Sequence, residues 1–119
     1  MMWRLIAILL LGALPAVAQN SSAKTVAALC QSAISGGKDL ASCSGYVRGV
    51  LDADQLWYSA MLKETHFSVL AQFYCAPASL QTKDAAKLFV DWLKRNPKHE
   101  NDPAANAIVL ALRDKYPCK

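Results

Sequence analysis

The chain has 119 residues, 54% of them hydrophobic and 18% charged, with five glycines and five prolines. That length supports one hydrophobic core rather than two, and so apolar a composition excludes a disordered chain, which needs low hydrophobicity and high net charge. A formal charge of +4 is weakly basic, and the sequence carries neither a glycine period nor a repeat of roughly 20–50 residues, which excludes collagen-like and solenoid architectures.

Residues 1–18 read as an export leader. Arg4 supplies a positive start, an apolar run follows from Leu5, and Ala16-Val17-Ala18 is the small-x-small pattern that signal peptidase cuts. The run to Ala18 contains Gly12 and Pro15 and is shorter than the roughly 20 apolar residues a spanning helix needs. Cleavage after Ala18 is expected, leaving residues 19–119 as a single periplasmic domain with no membrane anchor. Cys30, the first cysteine, lies too far from that point for a lipoprotein.

Helical signals follow in order. Ser22 to Ser35 is compatible with a helix that Gly36-Gly37 breaks. From about Ser42 to Lys63, the positions Val47, Val50, Leu51, Asp54, Tyr58 and Met61 keep helical spacing. The next stretch, with Phe67, Val69, Phe73 and Tyr74, fits an extended segment or a frayed helix equally well. Ala85, Leu88, Phe89, Trp92 and Leu93 then define a strong amphipathic helix that ends before Pro97. Asp102-Pro103 predicts an N-cap followed by proline at the first helical position. Ala105, Ile108, Val109, Leu112 and Tyr116 form the apolar stripe of the last helix, closed by Pro117. The expected class is all-α: a small four-helix domain stapled by two disulfides.

The staples are Cys30, Cys43, Cys75 and Cys118, an even number in a chain read as exported. Their successive spacings of 13, 32 and 43 residues contain no C-x-x-C, the close pairing that a zinc or redox site would want. In an antiparallel hairpin, residues equidistant from the turn come together. Cys30 and Cys43 flank Gly36-Gly37 at equal distance, while Cys75 precedes the third helix and Cys118 follows the fourth. The expected pairs are Cys30–Cys43 and Cys75–Cys118.

No catalytic constellation is legible. His66 and His99 lack a second ligand at metal spacing, and Asp52 and Asp54, two apart, point about 200° from each other on a helix, which rules out a carboxylate dyad. No glycine loop for phosphate is present, so neither catalytic residues, nor a metal, nor a cofactor is expected. Lys83, Lys87 and Lys94 fall on one stripe of the third helix, interrupted by Asp91, with Arg95 and Lys98 nearby. A nucleic-acid surface would need more charge and interleaved aromatics, so the stripe reads as a solvated face, with an anionic protein or envelope polymer as the alternative. Gly45 and Gly49, four apart, predict close backbone approach by another helix. Asp52 beside them is compatible with burial or exposure.

Cys43 followed by GYVRGVLDA, FYCAP around Cys75, Gln81, KLFVDWLKRNP and the final NAIVLALRDKYPC together resemble the Rap/Tai immunity family associated with type VI secretion. The resemblance runs from about Cys30 to Cys118, and it rests on the order and spacing of motifs that are individually weak. It implies a small helical periplasmic protein that binds and inhibits a cognate secreted peptidoglycan amidase and has no chemistry of its own. A periplasmic holdase or another envelope binding protein is the alternative reading.

Binding residues concentrate on loops held by a rigid frame. The polar, proline-bounded segment from Asn96 to Pro103 joins the two clearest helices. The expected partner-binding residues are therefore Lys94, Arg95, Lys98, His99, Glu100 and Asn101. Trp57 and Tyr58 point about 100° apart on the second helix, and one of them is expected on an exposed apolar patch available to a homodimer or another partner.

Overall fold

The computed structural model describes the backbone of residues 21–65 and 72–119 and the side chains of 21–60 and 72–119. The expected leader at 1–18, with His66, Phe67, Val69 and the side chain of Met61, lies outside the described residues. Four α-helices are present: α1 (Ala23–Gly36), α2 (Leu40–Thr65), α3 (Thr82–Arg95) and α4 (Ala104–Lys115), with a 3₁₀ turn at Pro97–His99 between the last two. Among the described residues there is no strand, and no helix is long and apolar enough to cross a membrane.

Ser22 caps α1 with its hydroxyl, which accepts from the Thr25 amide at 3.3 Å. At the other end Gly37 adopts φ +77°, the left-handed conformation in which a glycine costs least, and its N–H returns to Ala33 O at 3.2 Å. Asp39 follows at φ 60° and accepts the Cys43 amide at its carbonyl (2.9 Å), so α2 starts two residues earlier than its apolar spacing suggested. The turn folds α2 back along α1. It brings Cys30 and Cys43 to a Cα separation of 4.9 Å, and both are fully buried.

α3 supplies the middle of the core. Ala85, Phe89, Trp92 and Leu93 are buried as the periodicity predicts, and Ala86 and Val90 widen the stripe while Leu88 is only half-buried. Phe89 meets Val26 of α1, Val47 of α2 and Ile108 and Leu112 of α4 in one cluster. Truncating a fully buried phenylalanine such as this costs about 3–5 kcal/mol.

Three expectations need correction. Pro103, not Asp102, occupies the N-cap position of α4, and the Asp102 carboxylate bonds His99 rather than helix amides. The buried face of α4 keeps Ile108 and Leu112 of the predicted stripe and extends to Ala104, Ala107 and Ala111, while Ala105 and Val109 are half-buried and Tyr116 lies beyond the helix end. Gly45 and Gly49 are exposed, and a Cβ on either would meet nothing within 4 Å. Among the described residues no atom comes that close, so small residues here open a groove instead of closing a contact.

The second staple, Cys75–Cys118, joins two exposed cysteines at a Cα separation of 5.0 Å. The Cys75 amide also donates to Tyr116 O at 2.8 Å. The irregular segment before α3 is thereby fastened to the end of α4, which fixes the α3–α4 hairpin at its far end. The loop at its near end is the candidate site.

Candidate partner interface

The last turn of α3 carries Lys94 and Arg95, cations at the negative end of the helix. Asn96 leaves the helix and closes it. Its backbone N–H donates to Leu93 O (3.1 Å) and its side-chain amide to Trp92 O (2.9 Å). Pro97 cannot continue an α-helix but suits the start of the 3₁₀ turn. The amides of His99, Glu100 and Asp102 then donate to the carbonyls of Asn96, Pro97 and His99, each at 3.1 Å.

Side chains brace this turn from beneath. His99 Nδ1 donates to Asp102 Oδ2 at 2.6 Å, and the ring stacks on Trp92 with centroids 5.2 Å apart and planes inclined 27°. Trp92 in turn donates from Nε1 to Asp114 Oδ2 of α4 at 2.7 Å. The loop's backbone is also bonded to the start of α1. The amides of Ala23 and Lys24 donate to the carbonyls of Asp102 (2.8 Å) and Glu100 (2.9 Å), and the Ala104 amide donates to Ser21 O (2.8 Å). The loop thus serves as the cap that α1 needs for amides no helix can satisfy internally.

Of the residues expected to bind a partner, Lys98, Glu100 and Asn101 are exposed at the tip, and Lys94 and Arg95 are exposed at its base. Lys94 Nζ donates to Gln31 Oε1 of α1 at 3.1 Å. His99 differs from the others. Its side chain is only 25% exposed and its Nδ1 is committed to Asp102, so it supports the loop's shape from inside.

The basic stripe on α3 is partly neutralised. Lys87 pairs with Asp91 at 2.9 Å. That hydrogen bond holds the Asp91 carboxyl below its usual range; slight desolvation opposes it, and the charges of Lys87, Lys94 and Arg95 add to the lowering. On α2, Asp52 is exposed and pairs with Arg48 at 3.0 Å.

Asp54 sits on the inner side of α2 and accepts a hydrogen bond from Tyr74, the buried aromatic of FYCAP. Burial raises the Asp54 pKa, with the Tyr74 bond opposing, and its Oδ1 has no hydrogen-bond partner among the described residues. Burial, then the charge and hydrogen bond of Asp54, push the Tyr74 hydroxyl up to about 12. The two side chains form a latch between α2 and the segment leading to the second disulfide, beside a cleft that Asp52 and Tyr58 also line.

Two further surfaces lie between the helices, and the first carries Trp57, one of the two aromatics expected on an exposed apolar patch. An open apolar groove of about 550 Å³ lies between α2 and α4, with Gly45, Gly49 and Val109 along it and Trp57 and Phe73 at its edge. Trp57 is 51% exposed, and Leu56 beside it is 71% exposed. A second groove, of about 340 Å³, runs between α1 and α3 and continues onto Pro97 and Glu100 of the loop. Its α1 wall includes Lys24 and Gln31, which periodicity alone places on a solvated face. Only the pairing of α1 with α3 brings them beside Lys94.

Among the described residues no cluster of His, Cys, Asp and Glu could hold a metal ion. No curated protein and no solved structure matches the chain. Residues 22–118, from the cap of α1 to the last cysteine, match the family of Rap1a immunity proteins, and the chain belongs to that family.

Proposed function

We propose that this immunity protein acts in the periplasm, after loss of residues 1–18, by binding and inhibiting a peptidoglycan amidase delivered by type VI secretion. It does so without chemistry of its own. The observation that carries this reading is the loop Asn96–Pro103: a polar tip of Lys98, Glu100 and Asn101 on a backbone hydrogen-bonded to α1, α3 and itself. A segment ordered before binding loses little entropy on entering a cleft. Its mixed donors and acceptors suit the polar site of an enzyme that cuts peptide cross-links, with Lys94 and Arg95 engaging the rim and His99 keeping the loop in shape. Exposed Trp57 and Leu56 support a homodimer through α2 as a further proposal, which sedimentation would read as a doubled mass.

The test is protection. The full chain is expressed with a small amidase encoded beside it and directed to the periplasm of a sensitive bacterium. The wild type should prevent lysis and co-purify with the enzyme, and K98S/E100S/N101S should weaken binding at least tenfold, about 1.4 kcal/mol, with its circular dichroism unchanged. Intact mass of the exported protein should place its N-terminus at Gln19. Lysis despite a folded, exported wild-type protein would overturn the amidase reading; full binding by the triple variant would move the interface elsewhere.

A further inference from the structure

We infer that the groove between α1 and α3 receives an extended acidic segment of the protein partner, whose carboxylates pair with Lys24 and Lys94. This rests on the immunity reading and names the chemistry of the partner surface that lies behind the loop.

Charge points to the sign of the occupant. Lys24 and Lys94, on the rims of this groove, share with most cations among the described residues the lack of a carboxylate within salt-bridge distance, which only Arg48 and Lys87 have; what sets these two apart is that they flank one apolar trough. α1 contains no aspartate or glutamate at all.

The Lys94 ammonium is also positioned. Gln31 Nε2 donates to Ser35 Oγ at 2.9 Å, which turns the Gln31 carbonyl toward α3, where it accepts from Lys94 Nζ at 3.1 Å. A neutral amide holds the ammonium across the groove without neutralising it, leaving two of its three N–H donors for a ligand. Gln31 is therefore a positioning residue.

Shape points to an extended segment. The floor is low and apolar, formed by Ala27, Ala28 and Leu93. From Lys24 to Gln31, the residue that carries Lys94, α1 rises about 10 Å. An extended strand covers that distance in three residues, whereas a helix would offer two turns, too few to be stable by itself. Two carboxylates two or three residues apart, with a small apolar side chain between them facing the alanines, would meet both lysines.

The experiment uses the exported protein, isotopically labelled, and does not depend on knowing the effector. The probe is a capped five-residue peptide alternating glutamate with valine, with its lysine-for-glutamate counterpart as control, followed by amide chemical shifts. The glutamate peptide should bind weakly, shift amides confined to residues 24–31 and 90–100, and bind at least fivefold more weakly in 0.3 M than in 0.05 M salt. K24E/K94E should abolish the shifts, and so should A28R, which fills the floor from an exposed position; circular dichroism checks that each is folded. Q31A should weaken binding by a smaller factor. Absence of shifts in the groove, equal binding of the lysine peptide, or unchanged binding by a folded K24E/K94E would overturn the inference. Such a result with intact amidase protection leaves the proposed function standing, and groove binding without protection does the reverse.

Discussion

Replacing His99 with alanine separates the residues that shape the loop from those that present a surface. The imidazole is 25% exposed, 2.6 Å from the Asp102 carboxylate and stacked at 5.2 Å on Trp92. Stacking of this kind contributes about 0.5–1.5 kcal/mol beyond burial. The hydrogen bond adds about 1 kcal/mol, since Asp102 is 43% exposed and water replaces part of what it loses. H99A should therefore destabilise the domain by about 2 kcal/mol, or roughly 10 °C in Tm for a domain near 100 residues. K98S/E100S/N101S should stay within about 0.5 kcal/mol of wild type, because these three side chains are exposed and none of them makes a hydrogen bond that holds the loop. Urea unfolding measures both, and the m-value should not change. In a double-mutant cycle, H99A and D102A should cost less together than the sum of the two alone. An H99A variant within 0.5 kcal/mol of wild type, or strict additivity with D102A, would refute the bracing role and return His99 to the free surface.

The raised pKa of Asp54 means that the native state holds its proton more tightly than the unfolded chain. Its stabilising contribution is complete below the ordinary value of 3.8 and lost as pH rises through the raised one. D54N should raise Tm at pH 7 and have a smaller effect near pH 3.5, and a Tm gain independent of pH would point to packing instead. For the two staples, loop length alone predicts about 3 kcal/mol for Cys30–Cys43 and about 4 for Cys75–Cys118, from separations of 13 and 43 residues. Burial reverses that order. C30S/C43S places two hydroxyls in the core at about 1–3 kcal/mol each, so its urea midpoint should fall below that of C75S/C118S, and the opposite order would show that closure entropy dominates. G45A and G49A should each stabilise α2 by about 0.5–1 kcal/mol, because the added methyl meets open space; loss of Tm would reveal a neighbour against that face.

Local signals in the sequence were reliable where the structure is local. Equal spacing about Gly36-Gly37 predicts Cys30–Cys43, and the apolar stripe from Ala85 to Leu93 predicts both the third helix and its buried face. The misread positions depend on partners far along the chain. Asp102 carries an N-cap signature, but the imidazole three residues before it competes for the same carboxylate. Gly45 and Gly49 have the spacing of a helix contact, yet among the described residues nothing lies within 4 Å of a Cβ placed there. Asp54 offered a readable clue, a carboxylate at core spacing after Val47, Val50 and Leu51, but its latch to Tyr74 needs the fold to bring them together. Similarly, nothing in Glu100 and Asp102 announces that their backbone carbonyls complete α1.

That last contact orders the chain in time. The first two amides of α1, at Ala23 and Lys24, find their acceptors on Asp102 and Glu100, so a chain emerging amino-terminus first exposes them until almost its whole length is available. Closure over so long a stretch is slow relative to helix formation, and no early fragment can settle into a finished subdomain. The first helix to be made is the last to be completed.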